Sequence, residues 1–142
     1  YPLWAGLASP GQAKATERSL SLFEHPGGLA MSDRDSGAQW DLPFGWAPTN
    51  WLAIKGLAQY GFAGDASRIA DEFSRTILQN FLRDGTIREK YNAVSGSANV
   101  EVAAGYKSNA IGFGWTNGVY LQMSDLLKQY NRKTAPVPRQ KR

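Results

Sequence analysis

A chain of 142 residues without cysteine must build its core from apolar packing alone, with neither a disulfide staple nor a thiol nucleophile. Hydrophobic residues make up 42% and charged residues 20%, the balance of a folded globular domain rather than a disordered one, and no apolar run approaches the roughly eighteen residues that would span a bilayer. The formal charge of +4 is concentrated at one end: without Arg132, Lys133, Arg139, Lys141 and Arg142, 11 basic residues face 12 acidic ones, so the folded part offers no cationic stripe for a nucleic acid.

Residues 132–142, with two prolines and almost no apolar side chains, read as a basic, solvated tail. The start, Tyr1-Pro2-Leu3-Trp4, lacks Met and has neither the basic start nor the apolar run of a signal peptide. It is therefore read as an internal cut.

Four helices are predicted in chain order. The first begins at Ser9-Pro10, an N-cap followed by proline in the first turn, and extends to about Phe23. The second follows Ala47-Pro48, carries Trp51, Ile54, Leu57 and Ala58 at helical spacing, and stops near Tyr60-Gly61. The third opens at Asp65, repeats Ile69, Phe73, Ile77 and Phe81, and ends before Asp84-Gly85. The fourth opens at Thr116 with Val119, Met123, Leu126, Leu127 and Tyr130 on one side. Strand alternation is nowhere sustained, although Asn99-Val100-Glu101-Val102 is a candidate for local extension. The fold class expected is all-α.

The connections carry the functional signal. Helices two and three are joined around Gly61 to Gly64 and should be antiparallel neighbours. The other two links each exceed twenty residues. If successive helices alternate in direction, both long links fall at one end of the bundle, and structureless links of that length are uncommon unless they serve a function.

Their content is unusual for loops. Trp40, Phe44, Trp46, Phe113 and Trp115 sit beside Gln39, Asp41, Glu89, Asn92 and Asn117. Flat aromatic faces next to amides and carboxylates suit a sugar ring, which presents apolar C–H faces and a rim of hydroxyls. The same mixture also suits tryptophans that cap the end of a bundle. Other chemistries fit poorly. One histidine and no cysteine leave little for a zinc site or a Cys/His nucleophile. Asp33-Arg34-Asp35-Ser36-Gly37 begins like a calcium loop, but Phe44 stands where the twelfth-position Glu belongs.

The segment Gln39-Trp40-Asp41-Leu42-Pro43-Phe44-Gly45-Trp46-Ala47-Pro48 resembles the tryptophan-rich signature of the trehalases, glycoside hydrolase family 37. Tyr1-Pro2-Leu3-Trp4-Ala5, Pro26-Gly27-Gly28-Leu29, Glu89-Lys90-Tyr91 and Gly112-Phe113-Gly114-Trp115-Thr116-Asn117-Gly118 resemble further family segments in the family's order. The resemblance covers about residues 1 to 130. It implies the C-terminal portion of an (α/α)6 barrel that hydrolyses α,α-trehalose to two glucose molecules with inversion and without metal or organic cofactor. It also implies that residues 1–131 belong to the catalytic barrel and that Glu89 is the general base. The general acid belongs to an earlier part of the family's chain, whose motif is absent here, so the missing N-terminal part of the barrel is an expected partner and this piece alone is expected to be inactive. A periplasmic or secreted setting is favoured over a cytoplasmic one.

The resemblance has one gap. Between Glu-Lys-Tyr and Gly-Phe-Gly-Trp the family carries a glycine run and then a sugar-contacting Glu. Here the stretch is Ser95-Gly-Ser-Ala-Asn-Val-Glu-Val-Ala-Ala-Gly105-Tyr106, with no glycine run. Glu101 is the carboxylate available to substitute, although the family's Glu falls nearer Tyr106 by spacing. The substrate-binding set expected is therefore Gln39, Trp40, Asp41, Glu101, Trp115 and Asn117. Trp46 and Trp51 are expected to pack under the loops; Asp41 and Asn117 have alternative roles as turn and helix caps. Without the resemblance, Glu89 reads as a surface carboxylate in a charged run. The alternatives are a related inverting α-glucosidase on the same barrel and a non-catalytic sugar-binding or scaffold piece.

Overall fold

The computed structural model describes residues 1–134. Four helices dominate it: α1 (Pro10–Arg18), α2 (Ala47–Gln59), α3 (Ala63–Asp84) and α4 (Gly114–Thr134). Four very short strands lie in the connectors: β1 (Glu24–His25), β2 (Gly28–Leu29), β3 (Phe44–Trp46) and β4 (Lys90–Asn92). They form two antiparallel pairs, β1 with β2 and β3 with β4.

The start of α1 is fixed by a reciprocal capping box. The Gln12 N–H donates to Ser9 Oγ at 3.3 Å while the Ser9 N–H donates to Gln12 Oε1 at 2.8 Å. Its end comes earlier than Phe23. Thr16 and Ser19 donate their hydroxyls to the carbonyls of Gln12 and Ala15, the local bonding by which such side chains compete with helix propagation. The chain then tightens into a single 3-10 turn at Leu20–Leu22.

Helix α3 buries Ile69, Ala70, Phe73 and Ile77 against α2 and α4. Phe81, the expected fourth member of the stripe, is 43% exposed. Gly85, at φ 72°, closes the helix in the left-handed conformation with its N–H on the Phe81 carbonyl. In α4, Val119 and Met123 are buried and Leu126 and Leu127 pack at the margin. This helix begins two residues before Thr116 and continues through Arg132 and Lys133 to Thr134, so the expected tail starts later than residue 132. Residues 135–142, the rest of that tail, lie outside the described residues.

Two close approaches account for glycines, one within α2 and one in the family-like segment 26–29. A Cβ at Gly56 in α2 would meet Leu3 Cβ at 2.8 Å and the Trp4 nitrogen at 2.9 Å, because the opening segment lies directly on the helix there. Gly28, at φ 109°, lets Asn50 reach the β1–β2 hairpin; a Cβ would stand 2.9 Å from Asn50 Oδ1. Asn50 is fully buried. Its Oδ1 accepts the Leu29 N–H at 2.8 Å and its Nδ2 donates to the Leu29 and Trp46 carbonyls at 3.1 and 3.0 Å. One carboxamide thus ties α2, the hairpin and β3 together.

The long connectors meet. In the β3–β4 pair Trp46 stands opposite Lys90, Gly45 opposite Tyr91 and Phe44 opposite Asn92. A second tie joins Ala38 to Ala104, whose N–H donates to the Gly37 carbonyl. The segment around Glu101 contributes this isolated bridge and no strand.

Candidate active site

Glu89 immediately precedes β4. Its N–H donates to the Ala110 carbonyl at 2.9 Å, and flanking Arg88 bridges to Ile111, so the return leg of the second connector holds the backbone from one side. Far from lying in solvent, the Glu89 side chain is 8% exposed. Lys90 Nζ donates to its Oε2 at 3.0 Å. Adjacent residues in an extended strand point to opposite faces, so contact of Glu89 with either neighbouring cation was not to be assumed; Lys90 makes one by folding its long stem back.

Lys90 itself is completely buried. A buried ammonium requires compensation on every side, and here it has the Glu89 carboxylate, the Ser108 carbonyl at 2.5 Å, the Trp46 ring at 5.1 Å and the Tyr106 ring at 4.8 Å. Arg88 turns elsewhere, with its guanidinium on Thr86 Oγ1 at 2.9 Å and Asp84 at 3.2 Å. Its N–H donates to the Tyr91 hydroxyl at 3.0 Å, and burial pushes that phenol's pKa up.

The tryptophans form one cluster. Trp40 lies flat on Trp46, with ring centroids 4.0 Å apart and planes 10° apart. Trp115 meets Trp46 edge-on at 5.7 Å and Phe113 at 4.5 Å. Trp115 Nε1 donates to the Glu89 carbonyl at 3.4 Å. Trp46 is buried, as expected for a packing residue, and donates Nε1 to the Gln39 carbonyl at 2.9 Å. Trp40 remains 52% exposed and Trp115 36%. Trp46 thus packs on the Lys90 ammonium and carries Trp40 and Trp115 against its own ring. Gln39 Oε1 and Thr116 Oγ1 are buried with no hydrogen-bond partner among the described residues. Asn117 is half-buried at the start of α4, with its N–H on the Phe113 carbonyl at 3.3 Å.

Two expected site residues stand differently. Both Asp41 oxygens are taken up within its own loop: Oδ1 accepts from the Ser32 hydroxyl and from the Leu42 N–H at 3.1 Å, and Oδ2 from the Ser36 N–H at 3.0 Å. Hydrogen bonds from Ser36 hold the carboxyl below its ordinary pKa. The arrangement clamps the loop. Glu101 is exposed and makes no hydrogen bond among the described residues. It lines a hollow of about 520 Å³ with Phe44, Val102 and Lys107. Asn109 was not singled out in the sequence. It accepts the Lys90 N–H and donates to the Lys90 and Ala98 carbonyls, cross-linking β4 to both legs of the second connector.

A family model for trehalase matches residues 1–131. The chain belongs to the trehalase family. It is 39% identical over 140 residues to the periplasmic trehalase of Xanthomonas oryzae pv. oryzae, covering 98% of this chain and 24% of that protein. It is 42% identical over 124 residues to the periplasmic trehalase of Pseudomonas aeruginosa, covering 87% and 22%. Among solved structures, the neutral trehalase Nth1 from Saccharomyces cerevisiae superposes with a TM-score of 0.72 at 34% identity, over 92% of this chain and 23% of that one. The chain thus spans about a quarter of the length of the curated relatives it matches. The bacterial relatives are named as periplasmic, in line with the periplasmic or secreted setting expected, and no described helix is long and apolar enough to cross a membrane.

Proposed function

We propose that this chain supplies the general base and one wall of the sugar pocket in an inverting hydrolase that cleaves α,α-trehalose to two glucose molecules. The observation that carries the reading is the enclosed Glu89 carboxylate, one oxygen held by Lys90 and the other without a hydrogen-bond partner among the described residues, beside the half-exposed faces of Trp40 and Trp115.

In an inverting glycosidase one carboxylic acid protonates the leaving oxygen while an ionised carboxylate about 6.5–9.5 Å away takes a proton from the attacking water. Glu89 Oε2 is occupied by the ammonium, so Oε1 is the oxygen that receives the proton. Trp40 and Trp115 offer flat faces to the glucose rings, and Gln39 and Asn117 contribute amides at the rim. Asp41 acts at one remove by fixing the loop that carries Gln39 and Trp40.

The acid and the remaining pocket come from the rest of a family-length protein, the other helices of an (α/α)6 barrel. Exposed apolar side chains support this. Leu7, Leu82 and Leu121 are 80%, 74% and 63% exposed, surface that a closed barrel would cover. The piece alone is accordingly inactive. The unengaged Glu101 and the altered segment around it favour a second reading, a related α-glucosidase.

The full-length protein tests both. Inversion on α,α-trehalose yields one α-glucose from the leaving half and one β-glucose from the attacked half. Proton NMR during the first turnovers should therefore find the two anomers in equal amounts. Release of α-glucose alone would refute inversion, and a preference for maltose-type glucosides over trehalose would favour the second reading.

A further inference from the structure

We infer that Lys90 is the positioning residue that holds Glu89 in its working orientation, and that Tyr106 and Ser108 from the second connector complete the enclosure on which this depends. The inference rests on Glu89 being the base.

Lys90 has no solvent exposure, and each of its contacts is accounted for: Glu89 Oε2 at 3.0 Å, the Ser108 carbonyl at 2.5 Å, and the ring faces of Trp46 and Tyr106 on either side. An ammonium directs three N–H groups. Two go to the carboxylate and the carbonyl, and the aromatic faces accept the remaining charge. Among the described residues no other cation contacts Glu89, and Arg88 is committed to Asp84 and Thr86. The other groups lining the cluster are Trp46 from β3, Trp115 from α4, and Asn109 and Tyr106 from the connector.

The ammonium therefore fixes which carboxylate oxygen faces the pocket. The enclosure is assembled from both long connectors: Trp46 from the first, Tyr106 and Ser108 from the second. The orientation of the base is thereby tied to the correct docking of Tyr106 and Ser108, which stand at and just beyond the end of the stretch 95–106 that departs from the family pattern.

The test uses the full-length protein with the substitutions Lys90→Met, Lys90→Arg and Tyr106→Ala, measuring kcat and KM on trehalose from pH 4 to 9. Lys90→Met is expected to lower kcat about 100-fold with KM within about threefold of wild type, the mark of an interaction needed in the transition state rather than for binding. Lys90→Arg should recover part of the lost kcat, because a donor to Glu89 Oε2 survives. Tyr106→Ala, at a half-exposed position, should lower kcat in the same way as Lys90→Met but less, with KM again nearly unchanged, since one wall of the enclosure is lost. Should Lys90→Met fail to fold, Tyr106→Ala decides the matter. A kcat lost only in proportion to the folded fraction, or lost together with a matching rise in KM, would overturn the inference. Glu89→Gln run in parallel separates the two claims: an active Glu89→Gln removes the base itself, whereas an inactive one beside a fully active Lys90→Met removes only the positioning role.

Discussion

Trp40 lies parallel to Trp46 at a centroid separation of 4.0 Å, with its outer face open. The inner indole is locked by its own hydrogen bond to the Gln39 carbonyl and by Lys90 against its ring. The outer one is thus presented as a rigid platform. Trp40→Ala in the full-length protein should raise KM for trehalose about tenfold and change kcat less, since an aromatic contact of this kind contributes about 0.5–1.5 kcal/mol beyond its area. Steady-state kinetics check this; a kcat loss with KM unchanged would move Trp40 from binding to chemistry.

Glu72 in α3 gives a pH prediction away from the site. Burial, reinforced by nearby Glu24, raises its carboxyl pKa to about 7, and its Oε2 has no partner among the described residues. Unfolded, it titrates near its ordinary value of 4.5. Between these values the folded protein keeps a proton that the unfolded chain has lost. Its contribution to stability is therefore complete below about pH 4.5 and is lost as pH rises to about 7. Glu72→Gln should remove that loss, so the variant's melting temperature gains on wild type as pH rises from 5 to 8. A constant difference across that range would show that Glu72 does not titrate in this window.

Asn50 carries three buried hydrogen bonds that join α2 to both connector strands. Asn50→Ala should cost about 1–3 kcal/mol for each buried backbone group left unpaired. It should also loosen the β1–β2 hairpin, read as faster amide exchange at Leu29.

The isolated 142-residue chain should self-associate or bind a hydrophobic dye through surface that includes Leu7, Leu82 and Leu121. Co-expression with the preceding part of a family-length chain should suppress this. A monodisperse monomer with no dye binding would show that these side chains need no cover.

Much of this architecture was legible because its signals are local. The stripe of Ile69, Phe73 and Ile77, the Ser9-Pro10 cap and Gly85 each act within a few residues. The early end of α1 was hidden, because Thr16 and Ser19 read as tolerable helix residues until their hydroxyls are seen bonding backward. The tryptophan-rich loop and Glu89 were visible as residue types, and the meeting of the connectors followed from alternating helix directions. The surroundings of Asp41 and Glu101 were not legible for a common reason: whether a loop carboxylate faces a ligand, its own backbone or solvent depends on loop path, which has no period to read. Asn109 and the Lys90 enclosure were invisible because they join residues some eighteen positions apart across a turn-rich segment.

The most direct measurement is the turnover of Glu89→Gln in the full-length protein alongside its trehalose affinity. A general base contributes about 100- to 10,000-fold, so the expected result is a kcat reduced by at least that lower bound with the dissociation constant nearly unchanged. Turnover within threefold of wild type would contradict the assignment of Glu89 as the base.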